Sequence, residues 1–230
     1  MRWLATILLA LVGGFAGAAV WDFSGFGGHS TRAYLLAHPE VLPEVVSRYQ
    51  TQQRQAQLAP VRAQLEVPFP GAVLGNPNGK VTLVEFSDYA CTYCRQSVAD
   101  VKQLIAANPD LRVVVREYPI LRPESADAAR MALAAAQQGK YAAYHDAMYR
   151  LGPPSKQTID QAAKEAGLDL AAAEKAIASG IFDSFLRSNI ALASRIGING
   201  TPGWVIGNQV IDGAVGQAAL GQAVAEARAS

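Results

Sequence analysis

The sequence predicts an α/β fold in which an all-helical block interrupts a small β-sheet, with a further helical segment ahead of it. Three observations carry that expectation. Residues 80–118 read as strand, helix, strand, which is a βαβ unit. Residues 123–196 read as helix throughout, and strand signals return at Trp204. A chain of 230 residues can bury a substantial core, as one domain with additions or as two small ones. With 20 Lys plus Arg against 19 Asp plus Glu and no basic run, no nucleic-acid partner is expected. Two cysteines form neither a disulfide framework nor a four-cysteine zinc site, so their spacing decides what they mean.

Residues 1–22 hold the only long apolar run: Arg2, then Trp3 to Val20 without a charge, then Asp22. Two readings stand. Arg2, the apolar stretch Leu4 to Val12 and the small residues Ala16-Gly17-Ala18 suit a signal peptide cleaved after export. The same run just reaches spanning length, with Trp3 and Trp21 where interfacial indoles sit, which suits an inner-membrane anchor at residues 3–21. Either places the remainder outside the cytoplasm, most simply in a bacterial periplasm.

Residues 23–66 form the N-terminal helical segment and linker. After a Gly-rich link, Ser24 to Gly28, the stretch Ser30 to Leu65 reads as helical, with Ser30 or Thr31 as its cap and Leu35, Leu42, Val45, Val46 and Tyr49 at helical spacing. His38-Pro39 and Pro43 interrupt it. The apolar stripe packs on its own domain or meets its copies in a homo-oligomer through residues 30–58. Its heptad pattern fades after about two repeats, which disfavours a long coiled coil. The glutamine-rich tract 50–57, followed by Pro60, reads as a pliable connector.

The main domain opens after Pro68 and Pro70. Gly75-Asn76-Pro77-Asn78-Gly79 is a turn cluster, and Lys80 to Phe86 a strand. Cys91-Thr92-Tyr93-Cys94 follows, then a helix with Val98, Val101, Leu104 and Ile105 on one side, closing at Asn108-Pro109. The second strand, Leu111 to Tyr118, has a Val113-Val114-Val115 centre suited to burial on both faces.

The cysteine pair therefore lies where the first turn ends and the helix begins. Unpaired N–H groups and the helix dipole favour an anion there, so Cys91 is expected as thiolate, the form that attacks a disulfide. Cys94, one turn on, is placed to displace the substrate from a mixed disulfide. A structural disulfide across two residues would close too small a loop to remove much unfolded-state entropy. A metal site would need two more ligands, and His29, His38 and His145 show no paired spacing.

Within the block 123–196, Ser125 is expected to cap the first helix, and Gly139, Gly152-Pro153-Pro154, Gly167 and Gly180 separate the segments. His145, among Tyr141, Tyr144 and Met148, reads as a structural residue. Trp204-Val-Ile206 and Gln209-Val-Ile-Asp212 about Gly207-Asn208 read as a β-hairpin, and a final helix runs from about Gly216 to Ala227.

Phe86-Ser-Asp-Tyr-Ala-Cys91-Thr-Tyr-Cys94, Arg116-Glu-Tyr-Pro-Ile120 and Gly197-Ile-Asn-Gly-Thr201-Pro202-Gly-Trp204 resemble the periplasmic thiol-disulfide oxidoreductases of the DsbA type. Residues 31–45 look like the N-terminal region of the ScsC branch, named for suppression of copper sensitivity, whose members can oligomerise through it. The resemblance implies a thioredoxin fold over residues 67–228 with a helical insertion at about 123–196. It implies an exposed nucleophile at Cys91, a buried partner at Cys94, a cis-proline at Pro202 facing them, and Thr201 before it exposing backbone to an unfolded substrate. Glu85 aligns with the buried acid that assists proton transfer at Cys94. The dipeptide Thr92-Tyr93 departs from the DsbA pattern in lacking a histidine. The implied protein is a disulfide oxidoreductase or isomerase without metal or organic cofactor. Its partners would be unfolded or misoxidised exported proteins and a membrane redox protein. The alternative is a periplasmic copper-binding protein that uses the same two thiols.

Overall fold

The computed structural model describes residues 26–229 and isolated positions between 3 and 17. The export-signal or anchor reading of residues 1–22 lies outside the described residues apart from those positions. Among the described residues no helix is long and apolar enough to cross a membrane. The chain divides into two units, residues 1–51 and 52–230.

The first unit contains α1 (Phe26–Ala37) and the start of α2 (Val41–Leu58). Ser30 and Thr31 lie inside α1, which begins four residues before Ser30, so neither is its cap. The break falls at His38-Pro39, as the proline demands. Pro43 is instead accommodated at the third position of α2, where a helix has no internal partner for the missing N–H. The glutamine-rich tract is not a connector: α2 runs through it to Leu58. Gln and Arg are good helix formers, and Leu58 is fully buried at the helix end.

The second unit is a five-stranded mixed sheet with helices on both faces. Its strands are β1 (Val73–Gly75), β2 (Val81–Ser87), β3 (Leu111–Glu117), β4 (Gly203–Ile206) and β5 (Gln209–Asp212), in the order β1-β3-β2-β4-β5. The β2–β3 pair is parallel and all others are antiparallel. Helix α4 (Thr92–Ala107) makes the βαβ crossover. Helices α5 (Pro123–Gln137), α6 (Tyr141–Leu151), α7 (Lys156–Glu165), α8 (Leu170–Ala178) and α9 (Asp183–Arg195) are inserted between β3 and β4. The short α3 (Arg62–Glu66) precedes the sheet and α10 (Gly216–Ala229) follows it. Strand β1 was not anticipated, because three residues beside a turn cluster are too few to show alternation. Ser125 does not cap α5: Pro123 occupies the first turn, Arg122 precedes it, and the buried Ser125 hydroxyl has no partner.

Alternation along the central strands sorts side chains to two cores. Leu83, Val113, Val115, Trp204 and Ile206 point to the face covered by α4, α6 and α10, against Val101, Leu104, Tyr144, Met148 and Leu220. Val84, Phe86, Val114 and Val205 point to the other, against Leu58, Val61, Leu65, Leu192 and Ile196. Arg116 lies on this second face with 2% of its surface exposed. Its guanidinium donates to the Leu65 carbonyl (Nε, 3.1 Å), to the carbonyls of Gln64 and Val67, and to Asn189 Oδ1 at 3.1 Å. One buried cation thereby satisfies the last carbonyls of α3 and ties that helix, β3 and α9 together.

Candidate active site

The site is built where β2 runs into α4. Seven residues of β2 leave the sheet at Ser87, and Asp88 turns the chain: its Oδ1 accepts from Ala90 N at 2.8 Å, and its backbone carbonyl accepts from Cys91 N at 2.9 Å. Asp88 Oδ2 also accepts from Ile120 N and Leu121 N, at 2.8 and 2.9 Å. The loop after β3 is thus strapped beside the loop that carries the cysteines.

Cys91 occupies the N-cap of α4 with extended backbone, and its Sγ accepts from Cys94 N at 3.3 Å. A sulfur takes the place of the usual capping oxygen. Cys91 Sγ also lies 3.2 Å from the Thr201 carbonyl oxygen. The Thr201–Pro202 peptide bond is cis, and the Pro202 carbonyl accepts from Gly213 N at 2.8 Å, which holds this loop to the end of β5. Trp204 Nε1 donates to the Gly213 carbonyl at 2.9 Å. Both thiols are free. Cys91, expected to be exposed, is instead buried with 5% of its surface left, because the Thr201–Pro202 loop lies over its sulfur; Cys94 keeps none, and Tyr93 between them is largely exposed.

The two sulfurs are driven apart in acidity. Hydrogen bonding from the Cys94 thiol, with help from the α4 backbone, outweighs burial and lowers the Cys91 pKa from 9.0 to about 6. Burial, with Cys91 and the nearby Glu85 charge, drives Cys94 strongly upward.

Glu85 is on β2, six residues before Cys91, paired across the sheet with Trp204 and with Val115. It retains 3% exposure, and burial lifts its pKa from 4.5 to about 7 against a hydrogen bond with Ser87. A cavity of about 250 Å³ reaches it between β1, α4 and α6, with His145 and the Lys102–Asp146 ion pair (2.7 Å) also in its wall. The structure therefore places Cys91, Cys94, Thr201 and Pro202 together at one end of the sheet, and Glu85 beneath them.

Sequence reasoning missed what surrounds Glu85. Tyr89, Glu117, Tyr141, Tyr144, His145 and Tyr149 form one buried polar cluster. Tyr89 and Tyr141 hydroxyls both donate to Glu117 Oε1, at 3.1 and 2.7 Å, and Ser87 Oγ lies 2.7 Å from Tyr149 Oη. His145 Nδ1 is 3.4 Å from Tyr89 Oη, and burial pushes its pKa down to about 4. The available signal was the parity of Glu117 with Val113 and Val115, which puts it on the same buried face. Among the described residues, no group of three or more His, Cys, Asp or Glu is arranged to hold a metal ion.

Comparison with known proteins agrees with this geometry. The thioredoxin family matches residues 70–226, and the copper resistance protein ScsC N-terminal domain matches residues 32–56. A thioredoxin-like oxidoreductase from Silicibacter pomeroyi is 42% identical, with a TM-score of 0.66 over 69% of this chain and 92% of its own. BcfH of Salmonella enterica Typhimurium is 30% identical, with a TM-score of 0.69 over 93% of this chain and 99% of its own. A curated relative, the Na(+)/H(+) antiporter NhaA 3 of Salinispora tropica, is 29% identical over 69% of this chain. The chain spans about a quarter of that relative's length, 25%. The chain belongs to the thioredoxin family, with a match to the ScsC N-terminal domain ahead of the fold.

Proposed function

We propose that the protein catalyses thiol-disulfide exchange on cysteines of exported proteins in a bacterial periplasm. The observation that carries this reading is the setting of Cys91 Sγ, 3.3 Å from Cys94 N at a helix start and 3.2 Å from the carbonyl beside cis-Pro202. Cys91 acts as the nucleophile. Its thiolate attacks a substrate disulfide, one substrate sulfur leaves as thiolate, and a mixed disulfide forms. Cys94 then loses its proton to the Glu85 carboxylate and attacks Cys91 Sγ; the Cys91–Cys94 bond forms and the second substrate thiolate departs. The reverse sequence donates a disulfide. The Thr201 backbone offers an extended edge on which an unfolded chain docks, and Pro202 faces the sulfurs.

Export, a membrane redox partner and self-association belong to the same reading. Leu42, Val45, Val46 and Tyr49 on α2 are each about half exposed or more, which supports association of copies through residues 30–58. Two active sites in one assembly favour isomerase work on scrambled substrates. Deleting residues 1–60 should then leave a monomer that oxidises but isomerises poorly; the same oligomeric state as the full-length protein by light scattering would exclude that arrangement.

The test of the central reading is equilibration of the cysteine pair against a glutathione series, read by alkylation and mass. A potential near about −120 mV marks a disulfide donor, and one at roughly −180 mV or below marks an isomerase or reductase. Failure to form the Cys91–Cys94 disulfide at any ratio would defeat the enzyme reading and bring copper carriage by the two thiols forward.

A further inference from the structure

The nucleophile is hidden by the same backbone on which a substrate is to dock. Cys91 retains 5% of its surface, and its Sγ–H donates to the Thr201 carbonyl at 3.2 Å. The cover is a short span, residues 199–201, held between two anchors. On one side Ile198 N donates to the Ala193 carbonyl at 2.9 Å, and Tyr118 Oη donates to the Ile198 carbonyl at 3.3 Å. On the other, Gly213 N donates to the Pro202 carbonyl at 2.8 Å. Among the described residues, no main-chain group of Asn199, Gly200 or Thr201 bonds to another main-chain group, and Asn199 and Gly200 are exposed. The Cys91 thiol is therefore what fastens the Thr201 carbonyl.

The closed cover also strands a polar group. Thr201 Oγ1 is buried and has no hydrogen-bond partner. A buried hydroxyl without a partner destabilises whatever arrangement buries it, so a weak fastening works against an opposing cost. That fastening exists only while Cys91 carries its proton. A thiolate has no hydrogen to donate, and at the same distance it faces the lone pairs of the carbonyl oxygen. Attack on a disulfide needs the thiolate, and it needs a substrate sulfur in contact with Sγ, for which 5% exposure leaves no room. Both requirements break the Sγ–H···O bond. The titratable groups that act on Cys91 are the Cys94 thiol from α4 and Glu85 from β2. The Asp88 carboxylate in the turn is taken up by the amides of Ala90, Ile120 and Leu121, and residues 199–202 carry no titratable side chain.

We propose that substrate docking activates the nucleophile: a chain that takes the Thr201 backbone lifts it from the Cys91 sulfur, and the thiol, deprived of its acceptor, gives up its proton. The inference rests on the reading of the Thr201 backbone as the docking edge. In this step the Cys91 Sγ–H bond breaks, the proton goes to water and the electron pair stays on sulfur; nothing is oxidised or reduced until the thiolate attacks. The coupling is reciprocal. If a docked chain lowers the proton affinity of Cys91, loss of that proton raises the affinity for the chain by the same factor. An empty site thus favours a covered thiol, and an occupied one an accessible thiolate.

The experiment uses the reduced full-length protein and a fluorescent peptide of alternating valine and threonine, with one serine where a substrate carries cysteine, so that it docks without reacting. Thiolate difference absorbance is titrated with and without saturating peptide, and peptide affinity is followed by anisotropy, from about pH 4 to 9 in wild type, Cys91→Ala and Cys91→Ser. Since a thiol is a weak donor, the peptide is expected to lower the Cys91 midpoint by about half a unit, and its dissociation constant to fall about threefold as Cys91 ionises. Cys91→Ala leaves the cover unfastened, whereas Cys91→Ser keeps a hydroxyl proton throughout and should bind about threefold more weakly than Cys91→Ala at every pH. A lowered midpoint together with weaker binding by Cys91→Ser supports the proposal. A midpoint within about 0.2 unit of the peptide-free value, or equal binding by Cys91→Ser and Cys91→Ala, overturns it and leaves docking at Thr201 standing. A peptide that binds none of the three proteins refutes the docking reading, and the proposal falls with it. Should neither variant fold, the wild-type midpoint decides alone.

Discussion

The hydrogen bond from the Cys94 thiol is the leading reason that the Cys91 pKa falls from 9.0 to about 6, so Cys94→Ala should undo much of that shift. At pH 7 a midpoint near 6 leaves about nine-tenths of Cys91 as thiolate. A hydrogen bond to a charged group contributes roughly 1.5–3 kcal/mol, which is about one to two pH units. The variant should therefore titrate at about 7 to 8, with between about half and a tenth of Cys91 ionised at neutral pH. It should not return to 9, because the backbone N–H of residue 94 still points at the sulfur from 3.3 Å. Ultraviolet absorbance of the thiolate, followed from pH 4 to 10 in the reduced proteins, reads both midpoints directly. The strong upward shift of Cys94 leaves Cys91 as the single thiol titrating in that range in wild type. Alkylation rates are a poorer probe, since each thiolate becomes more nucleophilic as its pKa rises and the two effects partly cancel. The reasoning is refuted if the variant titrates within about 0.3 unit of wild type, which would assign the whole depression to the helix end.

Three further outcomes follow from the buried charges. A depressed Cys91 pKa stabilises only the reduced fold: the contribution is complete above pH 9, shrinks between 9 and 6 and is absent below 6. Urea melts of reduced and oxidised protein should therefore diverge as pH rises from 6, by at most about 1.4 kcal/mol at pH 7 because Cys91 keeps some solvent contact; parallel curves from pH 6 to 8 would contradict this. Glu85 has the opposite sign, since its raised pKa of about 7 contributes stability below pH 4.5 that is lost as pH rises through 7. Glu85→Gln should match wild type at pH 4 and exceed it by up to about 3 kcal/mol at pH 8, and equal melts at pH 8 would count against burial of the acid. Arg116→Ala strips donors from the Leu65, Gln64 and Val67 carbonyls and from Asn189, and should cost on the order of 3 kcal/mol in denaturant melts. A loss below about 1 kcal/mol would mean that water replaces the guanidinium.

What the sequence determined by itself was the local grammar around the cysteines. Valine-rich strands on either side of a helix, the turn Ser87 to Ala90 and the spacing Val98, Val101, Leu104 place Cys91 at a helix start without reference to any distant residue. The alanine-rich block between Pro123 and Ile196 and the Gly207-Asn208 hairpin were legible for the same reason, since period and turn chemistry are written within about a dozen residues. The glutamine tract is the opposite case: its polarity suggests looseness, but its helix propensity is high and Leu58 anchors its end. Tertiary structure alone decided the fate of the polar residues in the strands. Glu85, Arg116 and Glu117 are charged letters in apolar runs, and nothing local says whether they meet water. Glu85 and Glu117 are covered by α4 and α6, and Arg116 by α3 and α9, elements up to 73 residues away along the chain. Burial of a charge is settled by what packs over it, and that is a property of the assembled sheet and its helices.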